Sequence, residues 1–199
     1  MSEPTTDQFS RRAFFKGSGA VAAATMVSSE VAGQDVAASP NATRLIKGMT
    51  LKVNGKQYTI ENVEARTTLL DVLRLRLNLT GAKPVSMDGS SGASTVLIDG
   101  RPAMASTTLA ASVVGKEITT IEGLPANDAV PHAFVADDAQ QCGFCTPGFV
   151  MAVRAFLNRH PEATDEQLRS GLNGNICRCG TYANIIRAAV SIVKGEQNG

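Results

Sequence analysis

The chain has 199 residues, 43% of them apolar, with a formal net charge of +1. That allows one or two small domains with sizeable cores, and the near-neutral balance gives no electrostatic case for a nucleic acid or a charged membrane surface. No stretch is long and apolar enough to cross a bilayer as a helix.

The first segment reads as a targeting leader and is set apart from the fold. SRRAFFKG, with Arg11-Arg12, Phe14 and Lys16, resembles the twin-arginine export pattern. A mildly apolar, alanine-rich run from Ala20 to Val27 follows, and Val36-Ala37-Ala38 is a small-residue cleavage site. Residues 1–38 are therefore expected to be a twin-arginine signal peptide. A periplasmic protein, exported already folded and carrying any cofactor, follows from that expectation.

Residues 43–124 read as a small α+β unit. Met49, Leu51 and Val53 alternate like a strand, Asn54-Gly55 is a hairpin turn, and Gln57 to Ile60 is the return strand. Thr68, with Asp71 three residues on, caps a helix from Leu69 to Leu77. Its core face is Leu69, Leu70, Leu73 and Leu77. A small-residue loop runs from Gly81 to Gly92. Strands Thr95 to Ile98 and Arg101 to Met104 flank the Asp99-Gly100 turn, and Ile118 to Ile121 is the last strand.

Residues 127–195 read as a helical bundle. Asp128 to Asp138 is the first helix, with Pro131 in its first turn, where proline is tolerated. Thr146-Pro147 is an N-cap followed by proline at the first helical position. The helix after it buries Val153, Phe156 and Leu157, and His160-Pro161 ends it. Thr164 and Gln167 form a capping box for a short helix. Asn173-Gly174-Asn175 is a turn. The last helix starts at Tyr182, buries Ile185, Ile186, Ala189, Ile192 and Val193, and ends at Gly195. His132 is not expected to be a ligand. No nucleophile–base pair or phosphate loop appears, so the chain has no catalytic constellation of its own.

All four cysteines lie in this second region, as Cys142-x-x-Cys145 and Cys177-x-Cys179. Two residues between the first thiols, with Gly143 freeing the loop, let both reach one metal ion. An extended C-x-C puts the second two on one side of the chain, where both again can serve one ion. Each pair sits at a helix start, where the dipole favours thiolates, and Arg178 adds a positive charge. Two pairs make the ligand set of a [2Fe-2S] centre. Spacing alone leaves open a four-cysteine zinc site, although zinc pairs are usually two to four residues apart on both sides. Two disulfides stay open as well.

QCGFCTPG followed by GNICRCGTY resembles the C-terminal [2Fe-2S] domain of the small subunits of molybdenum hydroxylases, the xanthine dehydrogenase and aldehyde oxidoreductase family. The first region resembles the family's N-terminal plant-type ferredoxin domain, through TTLLDVLR, GAK and GSSGASTVLIDGRPAMASTTLA. The resemblance implies an α+β chain: a ferredoxin-like β-grasp domain followed by an all-α [2Fe-2S]-binding domain. It implies cluster ligation by Cys142, Cys145, Cys177 and Cys179. It also implies a large partner subunit with a molybdenum–pterin cofactor, and a flavin (FAD) subunit or a cytochrome as electron acceptor. Gln141 and Cys179 match positions that face the pterin. GTY and the leader lean towards aldehyde-oxidising members; N-heterocycles are the other substrate class. The rival class is a non-enzymatic, zinc-stabilised binding module.

One departure from the family is large. Its members hold a second cluster in the first region, and the four matching positions here are Ser86, Ser91, Ser94 and Ser106. Val85 stands where glycine is usual. A hydroxyl is far less acidic than a thiol and is a hard ligand. This loop is therefore expected to hold no cluster, its serines hydrogen-bonding each other and the backbone. Four replacements, each by the nearest isostere, read as deliberate substitution of a set.

Overall fold

In the computed structural model, which describes residues 45–195, the chain begins with a long hairpin. The expected leader, with Arg11-Arg12, and its expected cleavage site lie outside the described residues. Strands β1 (Leu45–Val53) and β2 (Lys56–Glu64) pair antiparallel around the Asn54-Gly55 turn. Both central turn residues have positive φ, at 52° and 76°, the requirement for which Asn-Gly is selected. The strands are longer than the alternation of Met49 to Val53 and Gln57 to Ile60 suggests. The added residues of β1 are mostly exposed, so no burial pattern marks them.

Helix α1 follows as an α-helical turn, Leu69–Asp71, running into a π-helical segment, Val72–Arg76. The Thr68 side chain accepts from the Asp71 N–H, as the cap motif requires. A straight α-helix to Leu77 is not formed. The Leu77 N–H reaches the Val72 carbonyl at 3.1 Å, five residues back. Leu69, Leu70, Val72 and Leu73 are buried, whereas Leu75 is 78% exposed.

Strands β3 (Thr95–Ile98), β4 (Arg101–Met104) and β5 (Glu117–Thr119) complete a five-stranded sheet in the order β2-β1-β5-β3-β4. Only the β1–β5 pair is parallel. β5 stops short of the expected Ile121. Thr120 leaves the ladder to exchange two hydrogen bonds with Asn54, at 2.9 and 3.0 Å, and a 3-10 turn follows at Ile121–Gly123. The buried face of the sheet closes on α1. Leu51, Val53, Leu69, Leu70, Leu73 and Ile118 form the centre of that core. Each buried aliphatic side chain contributes roughly 1.5–3 kcal/mol of transfer free energy.

Four helices make the second half. They are α2 (Ala129–Ala136), α3 (Thr146–Arg159), α4 (Asp165–Gly171) and α5 (Tyr182–Lys194). Asp128 caps α2 through the Val130 N–H and pairs with Arg154 of α3. The Thr164–Gln167 capping box is complete, and Gly195 caps α5 in the left-handed region. The start of α3 differs from expectation. Cys145, not Thr146, is its N-cap residue, and the Thr146 hydroxyl lies inside the first turn without a hydrogen-bond partner. Phe134, Phe149, Leu168 and Ile185 centre a second core. Leu97 of β3 packs on Met151 and Ala155 of α3, joining the halves. The described residues belong to one compact unit.

Candidate metal centre

The chain brings its four thiols together from two loops. Cys142 and Cys145 occupy the turn before α3, with Gly143 at φ +82°, a conformation that strongly favours glycine. Cys177 and Cys179 lie in the turn before α5. Cys177 is buried, Cys145 half-buried, and Cys142 and Cys179 are exposed. None is in a disulfide.

The thiols are neighbours across the motifs. Cys142 neighbours Cys179, and Cys145 neighbours Cys177. The cause is the second motif: residues 178–179 form a turn, not the extended strand that would keep both thiols on one side. One thiol is thereby sent inward and one outward. Among the described residues no three His, Cys, Asp or Glu side chains converge where they could hold a single metal ion. A one-ion zinc site needs three or four donors around one point. Two thiols from each side suit two irons with two ligands each. Four thiols of this kind are the donor set a [2Fe-2S] centre takes.

Proton sharing within the pairs is uneven. Burial and the hydrogen bond to Cys177 push the Cys145 thiol up to about 12. At Cys177 burial pushes the same way. It is outweighed by hydrogen bonds from the Thr181 hydroxyl and N–H, by Cys145 and by the Cys179 N–H, and the thiol falls to about 7. In the outer pair the Phe144 N–H, then the Cys179 thiol, lower Cys142. Its hydrogen bond to Cys142 raises Cys179. Each pair thus has one thiol shifted down and one shifted up, and metal binding would release the protons the thiols carry.

Three residues around Cys177 have roles that spacing did not reveal. The Thr181 hydroxyl lies 3.1 Å from Cys177 Sγ. The Tyr182 hydroxyl accepts from the Cys177 N–H at 3.1 Å and donates to the Asn175 carbonyl at 2.8 Å. The Tyr182 ring meets Phe149 edge-on at 5.6 Å. Their only sequence signal was the GTY after Cys179 and the asparagine two residues before Cys177. His132 is exposed, its Nε2 2.9 Å from the Ala126 carbonyl oxygen. Gln141 is exposed beside Cys142, and Arg178 is exposed between its cysteines.

The four serines form two hydrogen-bonded pairs. Ser86 Oγ and Ser91 Oγ are 2.6 Å apart, and the Ser91 N–H donates to Ser86 Oγ at 2.9 Å. Ser94 Oγ donates to Ser106 Oγ at 3.0 Å and accepts from the Ser106 N–H at 3.3 Å. Ser94 and Ser106 are buried, and neither lacks a partner.

Comparison with known proteins agrees with this chemistry. A family described as a [2Fe-2S] binding domain matches residues 120–190. The aldehyde oxidoreductase iron-sulfur-binding subunit PaoA of Escherichia coli (strain K12) is 42% identical over 98% of this chain and 92% of its own. The nicotine 6-hydroxylase small subunit of Paenarthrobacter nicotinovorans is 40% identical over 75% of this chain and 92% of its own. Among solved structures, a chain of quinoline 2-oxidoreductase from Pseudomonas putida 86 superimposes with a TM-score of 0.71. It is 35% identical, over 78% of this chain and 98% of that one.

Proposed function

The chain belongs to the iron–sulfur subunits of the molybdenum hydroxylases, and from that premise we propose that it is a single-cluster electron-transfer subunit. The cluster is one [2Fe-2S] centre held by Cys142, Cys145, Cys177 and Cys179. The observation that carries this reading is that the turns before α3 and α5 bring the protein's four thiols together, two more buried and two exposed. When bound, such a centre supplies one-electron transfer.

The protein's own residues divide the remaining work. Cys145 and Cys177 hold the inner side against the second core. Thr181 donates to the inner sulfur, which stabilises electron density there. Cys142, Cys179 and Gln141 are exposed together with Phe144 and Ile176, 58% and 52% exposed. In this reading that face meets the molybdenum–pterin large subunit, with Gln141 and Cys179 towards the pterin. The substrate is an aldehyde or an N-heterocycle, and chemistry on it takes place in the large subunit. PaoA, an aldehyde oxidoreductase subunit matched over almost the whole chain, favours the aldehyde.

The sheet half is, in this proposal, a ferredoxin-like β-grasp domain spanning residues 43–124, without a cluster. Residues 127–195 form the cluster domain. Electrons leave for a flavin or cytochrome acceptor without a second iron–sulfur stop. Residues 1–38 direct export to the periplasm. No helix among the described residues is long and apolar enough to cross a membrane.

The test is iron, sulfide and zinc per chain, with absorption and EPR spectra of the reduced protein. About two irons, two sulfides and one reduced-cluster EPR signal are expected. Zinc at unit stoichiometry, or about four irons with two signals, would overturn the reading.

A further inference from the structure

The serine loop still touches the metal centre. The Ser91 carbonyl accepts from the Ile176 N–H at 3.0 Å, and Ile176 immediately precedes Cys177. The Gly92 carbonyl accepts from Asn175 Nδ2 at 2.9 Å, across 83 residues of sequence, and Asn175 is 4% exposed. The same oxygen also accepts from the Thr95 N–H and hydroxyl, at 3.1 and 2.6 Å, so it is fixed from its own side. Gly92, at φ +68°, lies so close that an added Cβ would come within 2.6 Å of the Asn175 side chain and the Gly174 carbonyl. On the other motif, a Cβ on Gly148 would fall 2.3 Å from the Gly92 carbonyl and 2.9 Å from Ala93 Cα. Gly148 is in the first turn of α3, three residues after Cys145.

We propose that this loop is a positioning clamp: Ser91 and Gly92 fix the turn that carries Cys177 against the start of α3, and Asn175 is the residue through which they act. The proposal rests on the single-cluster reading and gives the thiol-free loop a part in the metal centre. Its serine pairs hold Ser86 to Ser91 and Ser94 to Ser106, and so hold Gly92 between them. Asn175 then orders both sides of the turn. Its side chain bonds the loop, and its carbonyl takes the Tyr182 hydroxyl that also receives the Cys177 N–H.

The test compares two glycine variants of the full chain. Gly92→Ala and Gly89→Ala both strain a positive φ in the same loop, at +68° and +80°. Only Gly92→Ala forces the loop off Asn175; a Cβ at Gly89 meets Met104 and Thr107 instead. Two readouts are taken: the EPR g values of the reduced, iron-loaded chain, and hydrogen exchange of the Ile176 amide in the iron-free chain. The clamp requires Gly92→Ala to shift the g values and to speed Ile176 exchange roughly ten-fold, the loss of about one hydrogen bond. Gly89→Ala should leave both near wild type. Equal effects of the two variants, or none from either, would overturn the proposal while leaving the cluster intact. If Gly92→Ala does not fold, Asn175→Ala is read by the same two measurements and must give the same shifts. A wild-type chain that binds no iron would sink the single-cluster reading instead. The Ile176 exchange in that chain would still decide for or against the clamp.

Discussion

This protein holds two sets of four side chains, one of hydroxyls and one of thiols. Ser86, Ser91 and Ser94 lie between α1 and β3, and Ser106 lies just after β4; Cys142, Cys145, Cys177 and Cys179 lie in the turns before α3 and α5. Each of these four serine hydroxyls finds another hydroxyl or a backbone N–H at hydrogen-bond distance. Hydroxyls satisfied in this way need no metal. The thiols are weak hydrogen-bond partners, and two of them are exposed. What suits the thiols and not the hydroxyls to iron is donor softness and acidity.

The largest expected effect comes from making one site into the other. C145S/C177S replaces both thiols of the inner pair by hydroxyls. Iron should fall from about two per chain to near none, because neither hydroxyl ionises at neutral pH. Retention of more than about one iron per chain would show that the outer pair anchors the metal alone. The reverse exchange comes next. S86C/S91C/S94C/S106C should raise iron from about two to about four per chain and add a second reduced-cluster EPR signal. Unchanged iron would mean that the loop has lost more than its thiols.

Iron removal should separate the two cores. The core around Leu51 and Leu69 contains no cysteine. The core around Phe149 and Ile185 includes Cys177, with Cys145 packed against it. Hydrogen exchange of the α3 and α5 amides should therefore speed by roughly ten-fold or more without iron, since metal binding contributes folding free energy. Amides of β1 and β3 should change far less. Equal acceleration in both cores would make the cluster a support of the whole unit.

Much of this architecture was legible because local chemistry acts at fixed offsets. Asn54-Gly55, Thr68 with Asp71 and Thr164 with Gln167 each do what their residue types require. Residues whose outcome depends on distant partners were not legible. Thr146 follows the N-cap signature, yet Cys145 takes the cap. Thr120 leaves β5 for a side chain 66 residues away. The pairing of thiols was hidden for the same reason. C-x-x-C and C-x-C are local patterns, but which sulfur meets which is decided by how two turns approach. That the serines bond one another and the backbone is readable from sequence, because hydroxyls left without a metal must find other partners.

The smallest effect lies inside the serine loop and tests that last statement directly. Ser94 and Ser106 are 2% and 3% exposed, so water cannot replace a lost partner. The pair is asymmetric. Ser94 Oγ both donates to Ser106 Oγ and accepts from the Ser106 N–H. Ser94→Ala therefore removes two hydrogen bonds and leaves a buried backbone N–H unpaired. Ser106→Ala keeps that N–H bonded to Ser94 Oγ and removes one bond. At about 1 kcal/mol per bond, Ser94→Ala should destabilise by about 2 kcal/mol and Ser106→Ala by about 1 kcal/mol. The double variant should cost less than their sum, because the orphaned hydroxyl of each single variant is absent from it. Denaturant unfolding of the iron-free chain measures all three. If Ser106→Ala proved the costlier, the Ser106 N–H bond to Ser94 Oγ would contribute little to stability, and Ser106 would be the hydroxyl that organises the pair.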